Sequence, residues 1–384
     1  MSSLSAPAAT VTVTSVETRK DLDAFIRLPW RIYKGNRYWV PPLLFTERQR
    51  FDQKHNPFYR HAEVQLFLAR RDGQVVGRIS AQVDQQYIDF QDERVGFFGF
   101  LECADDPEIA AALLTAAEDW LRGRGMERIR GPINLGKDGE IGFLAWGFDR
   151  RPLPLMPYTH EYYLGLMESA GYVKAKDVYA WRWQRQPVPD GPPRRMVDEL
   201  RSRPDVTVRR ARMKDFEAEV RRLLEMYNDA WSHLWGHVPA TDAEAKQMAD
   251  DLRFIVDTAI IPVVEVNGVP AGMALALPNT NWVIRPLNGQ LLPFGWLRAL
   301  WRLKVRRPKS GRLVLLGIKK EFRSRKYAGL AYLLCDEIYR GAVERGFKWA
   351  EFGWTLEDNG LINSLIKKVG AKHYKTYRLY EKAL

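Results

Sequence analysis

The chain is short of cysteine, of long apolar runs and of negative charge. Its 384 residues contain two cysteines, Cys103 and Cys335. This excludes a disulfide framework and a cysteine-based zinc site, and it indicates a reducing compartment. No run of about eighteen apolar residues is present, so no transmembrane helix is expected. Lys and Arg outnumber Asp and Glu by 59 to 47, which predicts an anionic partner: a phosphorylated cofactor, a lipid surface or nucleic acid.

The chain length and a proline-rich stretch predict two domains. The small-residue stretch 1–10 lacks the features of a signal peptide and is expected to be a disordered tail. Residues 187–193 contain four prolines, which is typical of a stiff linker. We therefore predict an N-terminal domain over 11–186, a linker with a short helix over 187–205, and a C-terminal domain over 206–384.

The two halves carry a similar hairpin pattern. In the first, Asp72-Gly73 separates the apolar runs 66–70 and 75–83; in the second, Asn267-Gly268 separates 262–266 and 270–277. Such dipeptides favour tight turns because both residues tolerate positive φ. The pattern predicts a divergent internal repeat, with a mixed α/β sheet flanked by helices in each half.

A basic turn near the C-terminus is the main functional motif. Residues 312–318 form an apolar strand pattern, 319–329 are rich in Lys and Arg, and a helix pattern runs on to Gly346. This order directs free backbone N–H groups and cations at one point, where the helix dipole also favours anions. A phosphorylated ligand is the expected occupant, and an exposed basic loop without a ligand is the alternative.

The basic turn and the elements C-terminal to it resemble those of the GNAT acyltransferases. Lys326-x-x-Gly329-x-Ala331 is similar to the family's (Gln/Arg)-x-x-Gly-x-(Gly/Ala) signature. A strand at 349–354, Asn359 eleven residues before Gly370, and a final strand at 375–380 come in the family's order. The resemblance implies two tandem GNAT-like folds, of which the second binds acyl-CoA. It implies cofactor contacts at Leu316, Gly317, Ile318, Arg323, Ser324, Arg325, Lys326, Tyr327, Ala328, Gly329, Leu330, Ala331 and Asn359.

The same resemblance leaves the acid and the base open. The tyrosine acid common in the family stands seven residues after the Asn, where this chain has Ile366. Tyr374 and Tyr377 are candidate replacements, and Glu351, Glu357 and His160 are candidate bases. Asn359 is equally well explained as a helix N-cap. In the first half the corresponding turn, 102–108, is acidic, so that half is expected to have lost cofactor binding.

Residues 282–311 form an insertion between two central strands of the second half. On a helical wheel Arg298, Arg302 and Arg306 fall on one side, and Phe294, Leu297, Leu300, Trp301 and Val305 fall on the other. A basic face, an apolar face and tryptophan are typical of a helix at an anionic membrane surface. A surface helix packed on its own domain, or a cover for a long acyl chain, is the alternative.

His233 and His237 stand four residues apart, but Gly236 interrupts their helix pattern and no third ligand is evident. We therefore predict no metal.

Short sequence segments spread over the whole chain resemble those of a family of bacterial tandem-GNAT proteins that includes the bacterial ceramide synthases. They lie at 28–42, 96–100, 131–134, 161–163, 227–237, 278–281 and 354–359. The resemblance implies an acyl-CoA-dependent N-acyltransferase that moves a long-chain fatty acyl group to the amine of a sphingoid base. The expected location is the cytoplasm, peripheral on the inner face of the cell membrane, with nucleic acid an unexpected partner. The alternatives are acetyl transfer to a soluble amine, transfer from aminoacyl-tRNA, and a non-catalytic binding protein.

Overall fold

The structure is a computed structural model that describes residues 10–136, 140–231 and 234–384. It divides into two compact units. The first consists of the described residues of Met1–Phe148 together with Pro157–Lys176 and Arg378–Leu384; the second consists of Asp149–Met156 and the described residues of Asp177–Tyr377. The second unit thus takes one loop, 149–156, from the N-terminal half of the sequence.

The first unit is a mixed sheet with helices against both of its faces. Its elements are β1 (Thr12–Ser15), α1 (Arg19–Ile32), α2 (Leu44–Arg50), β2 (Ala62–Arg71), β3 (Gln74–Asp84), α3 (Gln85–Gln91), β4 (Val95–Cys103), α4 (Pro107–Arg122), β5 (Arg128–Gly131), β6 (Phe143–Trp146), α5 (Tyr162–Ser169) and the start of β7 (Val173–Gln184). Strands β1 to β5 are adjacent in chain order, and only the β4–β5 pair is parallel. Successive residues of β2 alternate between two cores: Phe67 packs in the core with α4, and Leu68 in the core with α1.

The second unit repeats this plan. Its elements are the rest of β7, α6 (Pro192–Ser202), β8 (Val206–Arg210), α7 (Phe216–Trp231), α8 (Asp242–Leu252), β9 (Pro262–Val266), β10 (Val269–Pro278), α9 (Thr280–Ile284), α10 (Gly295–Leu300), β11 (Ser310–Ile318), α11 (Leu330–Glu344), β12 (Trp349–Leu356), α12 (Gly360–Lys368) and the start of β13 (Lys372–Ala383). The strand order is β8-β9-β10-β11-β12-β7-β13, and β11–β12 is a parallel pair. Val264 packs in the core with α11, and its neighbour Val263 in the core with α7 and α8.

The two predicted hairpins are confirmed. β2 and β3 are joined by Asp72 and Gly73, with φ of 51° and 73°; β9 and β10 are joined by Asn267 and Gly268, with φ of 51° and 77°. Positive φ at both central residues is the requirement of a type I′ turn, which matches the twist of the paired strands. The predicted α/β class with two repeated folds is therefore confirmed.

A helix, α6, lies within the segment 187–205. The tail predicted over residues 1–10 lies outside the described residues except for its last position. None of the helices in the described ranges combines the length and apolar character needed to cross a membrane.

Candidate functional site

Strands β11 and β12 separate halfway along their length. Their parallel pairing runs from Ser310 opposite Trp349 to Leu313 opposite Phe352. Beyond that point β11 stays paired with β10 as far as Ile318, and β12 stays paired with β7 as far as Leu356. Leu316, Gly317 and Ile318 therefore line the widening gap.

A buried arginine lies where the strands separate. Arg312 on β11 donates from Nε and Nη2 to the Gly353 carbonyl oxygen on β12, at 3.2 and 2.9 Å. Its Nη1 donates to the carbonyl oxygen of Pro154, at 2.6 Å, and its Nε is 3.2 Å from Glu351 Oε1. Because the guanidinium meets a β12 carbonyl beyond the last paired residue, it fixes how the strands diverge.

Glu351 and Tyr374 form a second contact at this point. The Tyr374 hydroxyl on β13 donates to Glu351 Oε2 on β12, and both side chains are buried. Burial, and then the Glu351 charge, raise the pKa of Tyr374 well above its usual range. The phenol therefore keeps its proton at neutral pH, and the two predicted residues are brought into direct contact.

The neighbouring Lys375 is fully buried and was not predicted. Its Nζ donates to the Arg151 carbonyl oxygen at 3.0 Å, and burial lowers its pKa to about 8. Together with Asn281, which donates to the Pro152 carbonyl oxygen at 3.1 Å, it holds the loop 149–156 in the second unit.

The predicted basic turn lies directly before α11. Arg323, Ser324, Arg325, Lys326 and Ala328 are exposed, while Tyr327, Gly329 and Leu330 are buried and Ala331 is half-buried. The Arg323 Nε donates to the Ile318 carbonyl oxygen at 3.0 Å, which ties the turn to the end of β11.

Three further residues of the turn have structural contacts. Lys326 Nζ lies 3.6 Å from Asp205 Oδ2, and the Tyr327 hydroxyl donates to the same oxygen at 2.8 Å. A Cβ on Gly329 would lie 2.8 Å from Met196 Cβ, so this glycine is needed for the approach of α6.

The start of α11 differs from its counterpart in the first unit. At α4, the carboxylate of Asp106 accepts from the N–H groups of Glu108 and Ile109, at 2.9 and 3.4 Å. At α11, the N-cap is Gly329, and no side chain caps the first turn. An internal carboxylate thus occupies the anion position of α4, whereas the first-turn N–H groups of α11 have no such cap.

Asn359 caps α12, accepting from the Ile362 N–H at 3.4 Å. The helix N-cap is the role that the sequence offers as the alternative to cofactor contact. Nearby, the buried Asn363 was not predicted. It accepts from Thr355 Oγ1 at 2.6 Å and donates to the Leu356 carbonyl oxygen at 2.9 Å. These bonds attach α12 to β12.

The other three candidates have different surroundings. The Glu357 carboxylate accepts from the Asp177 N–H at 3.1 Å, and Tyr377 is buried in the second unit. His160 lies in the first unit, stacked on Tyr33 with 4.8 Å between ring centroids, and burial lowers its pKa. Within the second unit, the structure therefore brings Glu351 and Tyr374 together.

His233 lies outside the described residues. Among the residues that the structure describes, no group of three or more His, Cys, Asp or Glu side chains is arranged to hold a metal ion.

Comparison with known proteins gives two full-length relatives. The bacterial ceramide synthase of Caulobacter vibrioides is 41% identical over 379 residues, covering 98% of both chains. Protein YghO of Escherichia coli K12 is 37% identical over 368 residues, covering 95% of this chain and 94% of that protein. No family model matches the chain.

Solved structures give the fold. A tandem GNAT protein from the clavulanic acid biosynthesis pathway aligns with a TM-score of 0.54 at 11% identity, covering 97% of this chain and 98% of that one. A GCN5-related N-acetyltransferase from Sphaerobacter thermophilus aligns with a TM-score of 0.50 at 14% identity, covering 97% and 95%. The chain therefore belongs to the bacterial tandem-GNAT family of acyl-CoA-dependent N-acyltransferases that includes the bacterial ceramide synthase of Caulobacter.

Proposed function

We propose that this chain transfers a long-chain fatty acyl group from acyl-CoA to the amine of a sphingoid base, as a step of sphingolipid biosynthesis. The observation that carries the proposal is the gap between β11 and β12, which leads to the uncapped start of α11. The relative named bacterial ceramide synthase supports the choice of acceptor and of a long acyl chain.

The acyl-CoA pyrophosphate would bind at the basic turn. There Arg325 and Lys326 are exposed, and the first-turn N–H groups of α11 have no side-chain cap. The remaining predicted contacts are Leu316, Gly317, Ile318, Arg323, Ser324, Tyr327, Ala328, Gly329, Leu330, Ala331 and Asn359. Of these, the β11 residues would pair with the amide-bearing arm, which carries the thioester towards Arg312 and Glu351.

The reaction needs the acceptor amine in its neutral form and a proton for the departing thiolate. We propose Glu351 as the group that receives the amine proton, with the Tyr374 hydroxyl as the relay between them. Because the pKa of Tyr374 is raised, its phenol passes a proton on without remaining ionised. The amine nitrogen then bonds to the thioester carbon and the carbon–sulfur bond breaks. The proton that the nitrogen loses on becoming an amide goes to the departing thiolate, which leaves as free CoA thiol. A backbone N–H of β11 within the gap would polarise the carbonyl oxygen.

Glu357, Tyr377 and His160 are weaker candidates under this proposal. Glu357 already binds a backbone N–H of β7, and the hydroxyl that donates to Glu351 is that of Tyr374. For His160, stacking on Tyr33 supports a structural role in the first unit.

The proposed location is the cytoplasm, at the inner face of the cell membrane. A sphingoid base and a long-chain acyl product both partition into lipid, so an enzyme that handles them works best at the bilayer surface.

The test is release of free CoA thiol from palmitoyl-CoA and from acetyl-CoA, each with sphinganine and with 3-oxosphinganine. Release only from the long-chain donor, and only with a sphingoid base present, is the expected result. Turnover of acetyl-CoA with soluble amines would assign the chain to acetyl transfer instead. If none of the pairs is turned over, the proposal is overturned. Copurification of RNA that binds in a salt-sensitive way would favour aminoacyl-tRNA as the donor.

A further inference from the structure

The insertion, residues 282–311, has an unusual composition. It contains seven Lys and Arg residues and no Asp or Glu, and no acidic residue occurs anywhere from 266 to 320. In the structure it forms most of α9, all of α10 and a π-helical turn, Trp301–Arg306, before β11 begins. Its charge is therefore not balanced within the segment.

An arginine joins the beginning of the insertion to its π-helical turn. The Arg302 guanidinium lies 3.7 Å from the ring centroid of Trp282, and its Nη2 donates to the Trp282 carbonyl oxygen at 2.7 Å. Arg306 lies over the same ring at 5.8 Å. The sequence places Arg302 on an outward basic face together with Arg298 and Arg306, and the structure corrects this: Arg302 is buried, because its guanidinium stacks on Trp282.

The insertion also exposes large apolar side chains. Seven of them have between 46% and 75% of their surface exposed: Leu292, Phe294, Trp296, Leu297, Leu300, Trp301 and Val305. Single exposed apolar residues are ordinary, but a cluster of this size within roughly fifteen positions marks a binding surface. We call these seven residues the apolar ridge.

Exposed cations surround the apolar ridge. Arg285, Arg298, Lys304, Arg306 and Arg307 are all exposed. Arg306 lies over the ring of Trp301, a ridge residue, at 5.5 Å. Arg306, Arg285 and Arg298 also act on the buried Arg302, whose pKa is lowered first by burial and then by their charges. The surface thus offers apolar groups and concentrated positive charge together.

We infer that the apolar ridge docks into an anionic lipid bilayer, with the surrounding cations at the phosphates of the headgroup layer. Of the possible occupants, a bilayer is the one that supplies anionic groups and an apolar interior at adjacent depths. A second copy of this segment would bring a second set of unbalanced cations, so charge disfavours it. Trp296 and Trp301 are suited to the boundary between headgroups and acyl chains. This inference concerns residues other than those proposed for acyl transfer and does not depend on the identity of the acceptor.

The test is binding of the full chain to vesicles of phosphatidylcholine alone and of phosphatidylcholine mixed with phosphatidylglycerol, measured by co-sedimentation. We expect binding to the mixed vesicles only, weakened by salt. The triple variant Phe294→Ser/Leu297→Ser/Leu300→Ser should bind at least tenfold more weakly. The pair Arg298→Gln/Arg306→Gln should lose more than tenfold, since each cation near an anionic surface contributes roughly fivefold, equivalent to about 1 kcal/mol.

A matched control is Leu361→Ser, which alters an apolar side chain that is 88% exposed on α12, away from the insertion; it should bind like the parent chain. A second readout is quenching of tryptophan fluorescence by brominated lipid, which should fall in Trp296→Phe/Trp301→Phe. Equal binding by the triple variant and the parent, or no binding to anionic vesicles at low salt, would overturn the inference. A doubled mass in light scattering that the triple variant abolishes would also overturn it, assigning the ridge to a second copy. Vesicle binding is scored without turnover, so its failure is distinguishable from failure of the proposed acyl transfer.

Discussion

Arg312 Nε lies 3.2 Å from Glu351 Oε1, in an ion pair whose side chains are only 2% and 0% exposed. One partner is on β11 and the other on β12, directly opposite in the last part of the ladder before the strands separate. The pair therefore ties the shape of the proposed acyl-CoA gap to the residue proposed to receive the amine proton.

Breaking this pair should destabilise the second unit. Glu351→Gln leaves a buried guanidinium without its counter-charge, although Arg312 keeps its bonds to two carbonyl oxygens. We expect a loss of about 3 kcal/mol in the free energy of unfolding, at the lower end of the range for broken buried pairs. Urea denaturation followed by circular dichroism measures it. Glu357→Gln, which alters a carboxylate that accepts from the Asp177 N–H, should cost about 1 kcal/mol or less, and equal costs for the two variants would contradict the importance of the buried pair.

Removing the Tyr374 hydroxyl should affect turnover more than binding. Tyr374→Phe deletes the donor to Glu351 and with it the proposed relay. We expect kcat to fall by roughly tenfold or more, within the usual range for a lost proton-transfer group, while KM for acyl-CoA changes little.

The comparison variant is Tyr377→Phe, another buried phenol on β13. Steady-state thiol release should show near-normal kcat for it. If Tyr377→Phe lowers kcat and Tyr374→Phe does not, the relay is Tyr377 and not Tyr374.

Neutralising the exposed cations of the basic turn should weaken cofactor binding. Arg325→Ala/Lys326→Ala is expected to raise the Kd for CoA roughly tenfold or more, since each charge-assisted contact to a phosphate contributes about 1 kcal/mol or more. Titration calorimetry at fixed ionic strength measures it. Lys367→Ala/Lys368→Ala, at exposed cations in the last turn of α12, should leave the Kd unchanged, and an equal loss would mean that only general charge attracts the cofactor.

The first unit should lose stability as the pH rises towards neutrality. Burial raises the pKa of Glu102 to about 7, against the opposing effects of Arg78 and of hydrogen bonds from Tyr163 and Tyr33. The folded chain therefore keeps this proton up to about pH 7, whereas the unfolded chain releases it near the ordinary glutamate value. Stability falls where the folded state binds more protons, so the loss occurs between these two values.

Urea denaturation at about pH 5 and about pH 8 measures this difference. Glu102→Gln should reduce it, because an amide has no proton to release. Glu108→Gln, at an exposed side chain near the start of α4, should leave it unaltered. An unchanged difference in Glu102→Gln would show that the buried carboxyl is not its source.

The repeated fold and the basic turn were predictable because each has a local signal. Asp72-Gly73 and Asn267-Gly268 impose their turns through their own backbone preferences. The strand, basic turn and helix at 312–346 form a continuous pattern, and the gap between β11 and β12 is expected once the family is identified. The acidic segment 102–108 contains Asp106, whose carboxylate caps α4; the loss of cofactor binding expected for the first half stays a prediction.

The buried polar contacts were not predictable, because their partners are distant in the sequence. Arg312 binds the carbonyl oxygen of Pro154, and Lys375 that of Arg151, at sequence separations of 158 and 224. A cation at the start of an apolar strand pattern is a signal that Arg312 is unusual, but it does not identify the partner. The inward turn of Arg302 was missed for a similar reason: a helical wheel groups cations by angle and does not include the aromatic ring on which one of them stacks.

Transfer of a long-chain acyl group to a sphingoid base is tested most directly by the mass of the product formed from isotope-labelled palmitoyl-CoA and sphinganine. The expected result is a labelled N-acyl amide formed together with one equivalent of free CoA, and less of it from Arg325→Ala/Lys326→Ala when palmitoyl-CoA is below saturation. Release of labelled palmitate without formation of an amide would contradict the proposed acyl transfer. Recovery of unaltered sphinganine and intact palmitoyl-CoA would contradict it as well.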